Sequence, residues 1–560
     1  MNRHARTPGS PACVAGARGG VIAVLLGSVA LGLAPAPAAA QAGAGAWEAD
    51  ERVVITDFQR VTALARSSDR LFAATDGGLV VLNDAFQRWE LPVTREDGYP
   101  DAQVLALGWD SRDGTLWMST RSGRLMQIDM FSRRWLDEFS LPGTITRIVA
   151  PVDDASRLLL RRGDGWFALD PFTRDLAPAS TADVRQAIER DFDLRARSEL
   201  LSDVRWEAHQ ALLGRSGPER YDVTDVMPAS GAGGQFWVAT YGGFLEKYDS
   251  LSGAVEPVEY GMVGIGAGAV LTAGESVWFA PAHASDRYAV AAADTELEEW
   301  RTWTGRSFGF EGKEAPDAPI HAWLQVGDDT WAGGDRGLHR FDGEGWHRES
   351  PGARTDVASI TALASGPPGL TGVWVGTRRG LFRIRSAGAP PDAAMLSATR
   401  VRALTVHDAE LWIGTDAGLV RLRGAGADDE AAVALPESAD APRGRVGALV
   451  ADRGRLYAGI ERDVWVLDAG AGWTRAAPLG VLPARVSALA ARDGLVWIGT
   501  DEGLIAWDTR DDLVTSFSFA AGDLPTGPRG ERGVDGIAVE PEGAVWVATP
   551  AGAVRLDPDW

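Results

Sequence analysis

Residues 496–508 read VWIGTDEGLIAWD. The same phrase returns as LFAATDGGLVVLN at 71–83, LWIGTDAGLVRLR at 411–423 and VWVATPAGAVRLD at 545–557. An apolar alternating run, a glycine-containing turn and a second alternating run describe a β-hairpin. Eleven variants of the phrase occur. Their aromatic falls at Phe72, Trp117, Trp237, Trp278, Trp331, Trp374, Trp412, Tyr457, Trp497 and Trp546, with Leu159 in a degenerate unit. Strand-bearing units repeating about every forty residues are the signature of a β-propeller. The predicted fold class is therefore all-β, with about eleven four-stranded antiparallel blades. Propellers host binding, scaffolding and catalysis alike, so the repeat does not name an activity.

In the first unit, residues 61–65 form a small apolar inner strand and residues 88–90 a short outer one. Between the second and third strands lies Thr75-Asp76-Gly77-Gly78, where two residues of positive φ suit a tight hairpin. A tryptophan at the same place in successive units is read as packing between blades, because each sheet buries both faces. Trp300 and Trp303 sit in a longer loop and are expected to be more exposed than the repeated tryptophans.

Eleven blades exceed the usual four to eight of one ring. Two rings are expected, one containing both chain ends and one made from a middle block; a single large ring is the alternative. The last unit holds three strands, while Arg52–Ile55 precedes the first unit without a blade of its own. That stretch is expected to supply the missing outer strand, which would remove an exposed sheet edge and place the first and last units in one ring. Residues 181–215 lack a strand pattern and predict a helical insertion between the third and fourth units, with Ser180 and Asp183 spaced as a capping box. Residues 387–394 and 424–430 read as loops.

Residues 1–40 carry Arg3, Arg6 and Arg18, then an apolar run at 21–34 and Ala38-Ala39-Ala40 before Gln41. This is the pattern of a cleaved secretory signal peptide, and residues 41–560 are the predicted propeller array. Export to the periplasm or the extracellular space is expected. The only cysteine, Cys13, would leave with that segment, so disulfides and thiolate metal sites are not expected. The net charge of -22 argues against nucleic acid and anionic lipid as partners.

The string Val-Trp-Ile-Gly-Thr-x-x-Gly-Leu at 496–504, with its counterparts at 373–381 and 411–419, resembles the two-component-regulator propeller repeat. The resemblance runs over essentially all of residues 50–560. It implies a propeller with a binding habit, like the extracytoplasmic sensor half of hybrid histidine kinases or stand-alone secreted relatives. The sequence carries no membrane helix, immunoglobulin-like module or kinase domain after the last unit. Direct signalling across a membrane by this polypeptide is therefore not expected.

Chemistry is sparse in the pattern. No His-x-x-x-His or His-Glu-x-x-His occurs, and His339 with His347 is the only spacing that invites a metal pair. Asp76, Asp335, Asp416 and Asp501 stand where turns favour aspartate. No catalytic, metal or cofactor residues are assigned. A ligand site is expected where the repeat is broken, at the turns between second and third strands. Those turns offer Tyr241, then His283, Asp286 and Arg287, then Arg336, Arg378 and Arg379. Arginines among acidic neighbours suit an anionic or polyhydroxyl ligand through paired hydrogen bonds. A non-catalytic module that binds a small ligand, carbohydrate included, or an envelope protein is the leading reading. A propeller enzyme of lyase or glycosidase type on carbohydrate and an envelope assembly scaffold stay open.

Overall fold

The structure is a computed structural model that describes residues 52–150, 157–171, 173–190, 221–229, 234–283, 288–304, 315–349, 359–392, 395–424, 432–435 and 440–557. The predicted signal peptide lies outside the described residues. Eleven antiparallel sheets follow one another. Blades 1 to 4 occupy residues 61–93, 104–140, 145–178 and 223–258. Blades 5 to 11 occupy 265–304, 320–348, 360–384, 401–435, 446–475, 486–518 and 536–556. Ten sheets have four strands; blade 7 has three, and only a Leu381–Met395 bridge stands for its fourth. Pro390 and Pro391 in that connection offer no backbone donors for a ladder.

Each residue of the repeated phrase has a physical task. Thr75 Oγ1 accepts hydrogen bonds from the Gly77 and Gly78 amides at 3.1 and 3.0 Å and donates to the Gly78 carbonyl at 2.7 Å. Thr415 and Thr500 repeat this arrangement. The turn thus needs one left-handed residue, not the two that the sequence suggests: Gly78 has φ 154° and Gly503 φ 153°, while Gly77 is not in the positive region. At Gly503 a Cβ would lie 2.1 Å from the Phe517 carbonyl oxygen, so no other residue fits. The aromatics Trp117, Trp237, Trp374, Trp497 and Trp546 are fully buried between sheets, each removing on the order of 200 Å² from water.

Arg52–Ile55 pairs antiparallel with the third strand of blade 11, from Arg52 opposite Leu556 to Ile55 opposite Ala553, and completes that sheet. The inner strands of blades 5 to 11 lie side by side in chain order, and that of blade 11 returns to blade 5. This closes a seven-bladed ring. Blades 1 to 4 form a separate group in which blade 1 lies between blades 2 and 4, and blade 2 between blades 1 and 3. Asp225 of blade 4 ties that group together, accepting from the Leu64 amide of blade 1 at 3.0 Å and pairing with Arg147 of blade 3 at 3.4 Å. The expectation that the first and last units share a ring is therefore corrected. Only the strand Arg52–Ile55 belongs to the large ring; residues 56–60 then cross to blade 1, and residues 259–264 return to blade 5. The two crossings meet at an Asp57–Met262 bridge.

One apolar cluster joins both groups, from Leu64 and Val80 of blade 1 through Phe58 and Tyr260 to Phe279 of blade 5 and Trp546 of blade 11. Trp300 belongs to it, 8% exposed and 5.4 Å from Phe279. Trp303 stacks on Trp278 at 5.2 Å. Both lie in the strand Trp300–Thr304, which corrects the exposure expected of them. The Ser180 amide donates to Asp183 Oδ2 at 3.0 Å and the Asp183 amide to Ser180 Oγ at 3.1 Å, at the start of the helix Thr181–Arg190. The remainder of the predicted insertion from residue 191 lies outside the described residues.

Candidate site at the mouth of the seven-bladed ring

The first residues of nearly every inner strand follow one pattern: a buried Val, Ile or Ala, a variable residue, then a small residue. The ladder skips the variable residue as a bulge, as between Val401 and Ala403 or between Ile320 and Ala322. A bulge re-aims one side chain out of the sheet plane. In the large ring, where that residue is Ser or Thr, it binds the next blade. Thr361 Oγ1 donates to Val401 O at 2.6 Å, and Ser487 Oγ to Val534 O at 2.6 Å. At Gly447 a Cβ would lie 2.0 Å from Val486 O, so glycine is required.

Three blades of the large ring break this rule. The variable residue is His321 in blade 6 and Arg402 in blade 8. In blade 11, Asp535 holds the matching place after Val534, and its amide donates to Ala548 O at 2.9 Å. A histidine, an arginine and a carboxylate thus converge on one end of the ring, beside the turns that join second and third strands. Behind them the central channel encloses a cavity of about 380 Å³, walled by inner strands of blades 5, 6, 9, 10 and 11, with His321 and Asp535 among its lining residues.

The mouth is electrostatically divided. On blades 5, 6, 10 and 11 stand His283, His321, Asp335, Asp501 and Asp535. His321 Nε2 lies 3.1 Å from Asp335 Oδ1. Asp535 is exposed at the mouth of the channel, where the mostly apolar strands that line the cavity restrict its hydration. Burial, and then the neighbouring Asp501, push its carboxyl above the ordinary aspartate range, with His321 and His283 opposing. On blades 7, 8 and 9 stand Arg378, Arg400, Arg402 and Arg445 around Asp416. Arg402 Nε bonds Asp416 Oδ1, and Arg445 Nε lies 4.0 Å from the same oxygen.

A raised aspartate carries a stability cost with a definite sign. The fold binds the Asp535 proton better than the unfolded chain does. Its penalty is absent below the unfolded value and grows as pH rises through the raised folded value. Asp535→Asn is therefore expected to raise the melting temperature at pH 7 and to leave it unchanged near pH 3. A variant less stable than the parent at pH 7 would contradict this account of the carboxyl.

The residues singled out in the sequence divide. His283, Arg336, Arg378 and Arg379 lie at the turns of the large ring. Arg336 pairs with Asp317. Asp286 and Arg287 lie outside the described residues. Tyr241 belongs to blade 4, in the other group, so the set does not share one mouth. Its hydroxyl donates to Asp76 Oδ2 at 2.8 Å, which corrects the expectation of a common rim. The sequence reading missed His321, Arg400, Arg402, Arg445 and Asp535. Their signal was present in the alignment of inner strands, where Val-Thr-Ala-Leu at 61–64 becomes Val-Arg-Ala-Leu at 401–404 and Ile-His-Ala-Trp at 320–323.

His339 and His347 do not form a metal pair. His339 stands opposite Arg348, and His347 opposite Arg340, so the two imidazoles leave opposite faces of the sheet. His347 instead bonds Asp342 at 2.6 Å. Among the described residues no group of three or more His, Cys, Asp or Glu is placed to hold a metal ion. No helix among them is long and apolar enough to cross a membrane.

No family model matches the sequence, and no curated protein matches it. Among solved structures the chain is similar to the extracellular domain of a putative hybrid two component system from B. thetaiotaomicron, at 11% identity and TM-score 0.34 over 90% of this chain and 82% of that one. A second such domain from the same organism is 13% identical, with TM-score 0.31 over 89% and 75%. The chain is also similar to PorZ, a surface component of the type-IX secretion system of Porphyromonas gingivalis, at 11% identity and TM-score 0.34 over 90% and 87%.

Proposed function

We propose that this is an exported, non-catalytic β-propeller protein whose seven-bladed ring binds a ligand across its charged mouth. The observation that carries the reading is the breaking of one repeated position. His321, Arg402 and Asp535 stand where the other blades of the ring carry Gly, Thr or Ser, the last two bonded to the backbone of the next blade. A residue exempted from the repeat is free for another task, and a carboxyl kept at a raised pKa points the same way. Export is inferred from the signal-peptide pattern of residues 1–40. Buried carboxylates elsewhere have structural partners: Glu349 bonds Arg340 at 2.8 Å, and Glu540 accepts from Trp546 Nε1 at 2.6 Å.

A thermal-shift screen against oligosaccharides, amino acids, nucleotides and organic acids tests the reading. A ligand that binds only the folded state raises the melting temperature by mass action. The expected result is a shift that His321→Ala with Asp535→Asn diminishes. A shift untouched by that pair, or none with any compound, counts against a site at this mouth.

A second reading, docking of an envelope protein, is favoured by the other blade group. Phe86, Phe131 and Leu251 sit at the equivalent turns between third and fourth strands of blades 1, 2 and 4, and are 76%, 77% and 77% exposed. Apolar tips so placed suit a protein contact. Capture of one envelope protein by the parent, lost in the triple serine variant, would support it.

A further inference from the structure

The arginines of the mouth are not equally provided with partners. Arg336 has Asp317, Arg485 has Glu461 at 3.0 Å, and Arg532 has Glu502 at 3.9 Å. On blades 7 to 9, by contrast, Arg402 and Arg445 share the single carboxylate of Asp416, and Arg378 and Arg400 stand beside them. Four guanidinium groups thus gather around the Asp416 carboxylate, in a chain whose net charge is -22; the nearby Glu461 accepts from the Arg445 amide at 3.3 Å and pairs with Arg485. Partial burial holds Arg400 below the ordinary arginine range, and repulsion from Arg402, Arg378 and Arg445 adds to it. Its Nε is shielded from solvent and has no hydrogen-bond partner among the described residues. A shielded donor without an acceptor is costly, and so is confining like charges side by side at the rim of the ring.

One kind of group resolves both costs. An oxyanion offers several acceptor oxygens, matches the planar fork of arginine and neutralises the local charge. We propose that Arg378, Arg400, Arg402 and Arg445 form an oxyanion subsite of the mouth, built for a carboxylate, phosphate or sulfate group on a ligand. This rests on the ligand-binding reading and adds the chemical class. Asp416 is the internal competitor: it occupies Arg402 and Arg445 while the subsite is empty, and the bond from Arg402 holds its carboxyl below the ordinary aspartate range. The acidic pole on blades 10, 11, 5 and 6 disfavours an anion there, so the charged group is directed to one side of the channel.

Titration calorimetry at constant ionic strength tests this with inorganic phosphate, galacturonate and neutral galactose. At least one anion is expected to bind, and galactose is not. Arg400→Gln with Arg445→Gln should weaken that binding at least tenfold. Arg378→Gln, at an exposed position where folding is not at stake, should weaken it severalfold. Asp416→Asn should strengthen it, an effect that a merely structural role would not produce. Binding that Asp416→Asn weakens or leaves unchanged overturns the proposal, as does galactose binding as well as galacturonate. If a neutral compound from the thermal screen binds at the mouth and no anion does, the oxyanion subsite falls and the ligand-binding reading stands. If neither binds, both fall.

Discussion

Replacing Tyr260 by alanine is expected to cost about 3–5 kcal/mol of stability, the range for removing a large buried aromatic. Tyr260 lies on the segment that returns from the four-bladed group to the seven-bladed ring and is fully buried. Its ring centroid is 4.4 Å from Trp89 of blade 1, 5.1 Å from Trp300 of blade 5 and 5.3 Å from Phe58 of the outgoing segment. No other residue on the crossings contacts aromatics of both groups in this way, so its loss opens a cavity where the two cores meet. Packing, not hydrogen bonding, carries the effect. The hydroxyl is buried without a partner among the described residues, and burial pushes its pKa well above the ordinary tyrosine value. Tyr260→Phe should therefore cost nothing. Urea denaturation followed by tryptophan fluorescence checks both. An alanine variant within about 1 kcal/mol of the parent would mean that the two groups are not coupled through this residue.

The second large effect is on pH dependence. His339 stands in the third strand of blade 6 and is 4% exposed. Burial first, then Arg348 directly opposite, push its pKa down to about 4, with Asp317 opposing. The fold keeps the imidazole neutral, whereas the unfolded chain takes up a proton below about 6.5. Stability from this group is fully present above the unfolded value and is lost as pH falls through about 6.5 towards about 4. The gap between those values corresponds to about 3 kcal/mol. His339→Leu should remove that slope, so the parent loses stability relative to the variant as the pH falls from 7.5 towards 4. Parallel profiles for the two proteins between pH 7.5 and 4 would contradict the assignment.

How much of this was legible in the sequence follows from what each residue does. The blade count was legible because the phrase Gly-Thr-x-x-Gly is enforced within one hairpin: the threonine hydroxyl caps the turn, and the glycine alone fits against the neighbouring strand. Closure by Arg52–Ile55 was legible because the last unit lacked a strand. The partition into rings was not, since inner strands such as Val-Thr-Ala-Leu at 61–64 and Ile-Thr-Ala-Leu at 360–363 offer the same surfaces to any neighbour. What decides the partition is the crossing at residues 56–60, whose Phe58 packs beneath Tyr260 and carries no periodic signal. The turn arginine Arg378 was found because it replaces a repeated aspartate. The changed residue is visible in the aligned strands, but that Arg402 and His321 turn into the mouth follows from a bulge in the pairing register, and Asp535 precedes the paired part of its strand. Trp300 and Trp303 misled because the stretch that reads as a loop is a five-residue outer strand, paired with the third strand of blade 5.

Hydrogen–deuterium exchange, with and without the strongest binder from the thermal screen, tests the claim of a ligand-binding mouth most directly. Slowed exchange is predicted in the segments that carry the two poles: residues 319–322 and 335–337 of blade 6, 398–403 and 415–418 of blade 8, and 532–536 before blade 11. Protection confined to blades 1 to 4, around residues 84–87, 130–133 and 249–253, would contradict it and would place the function on the apolar tips instead.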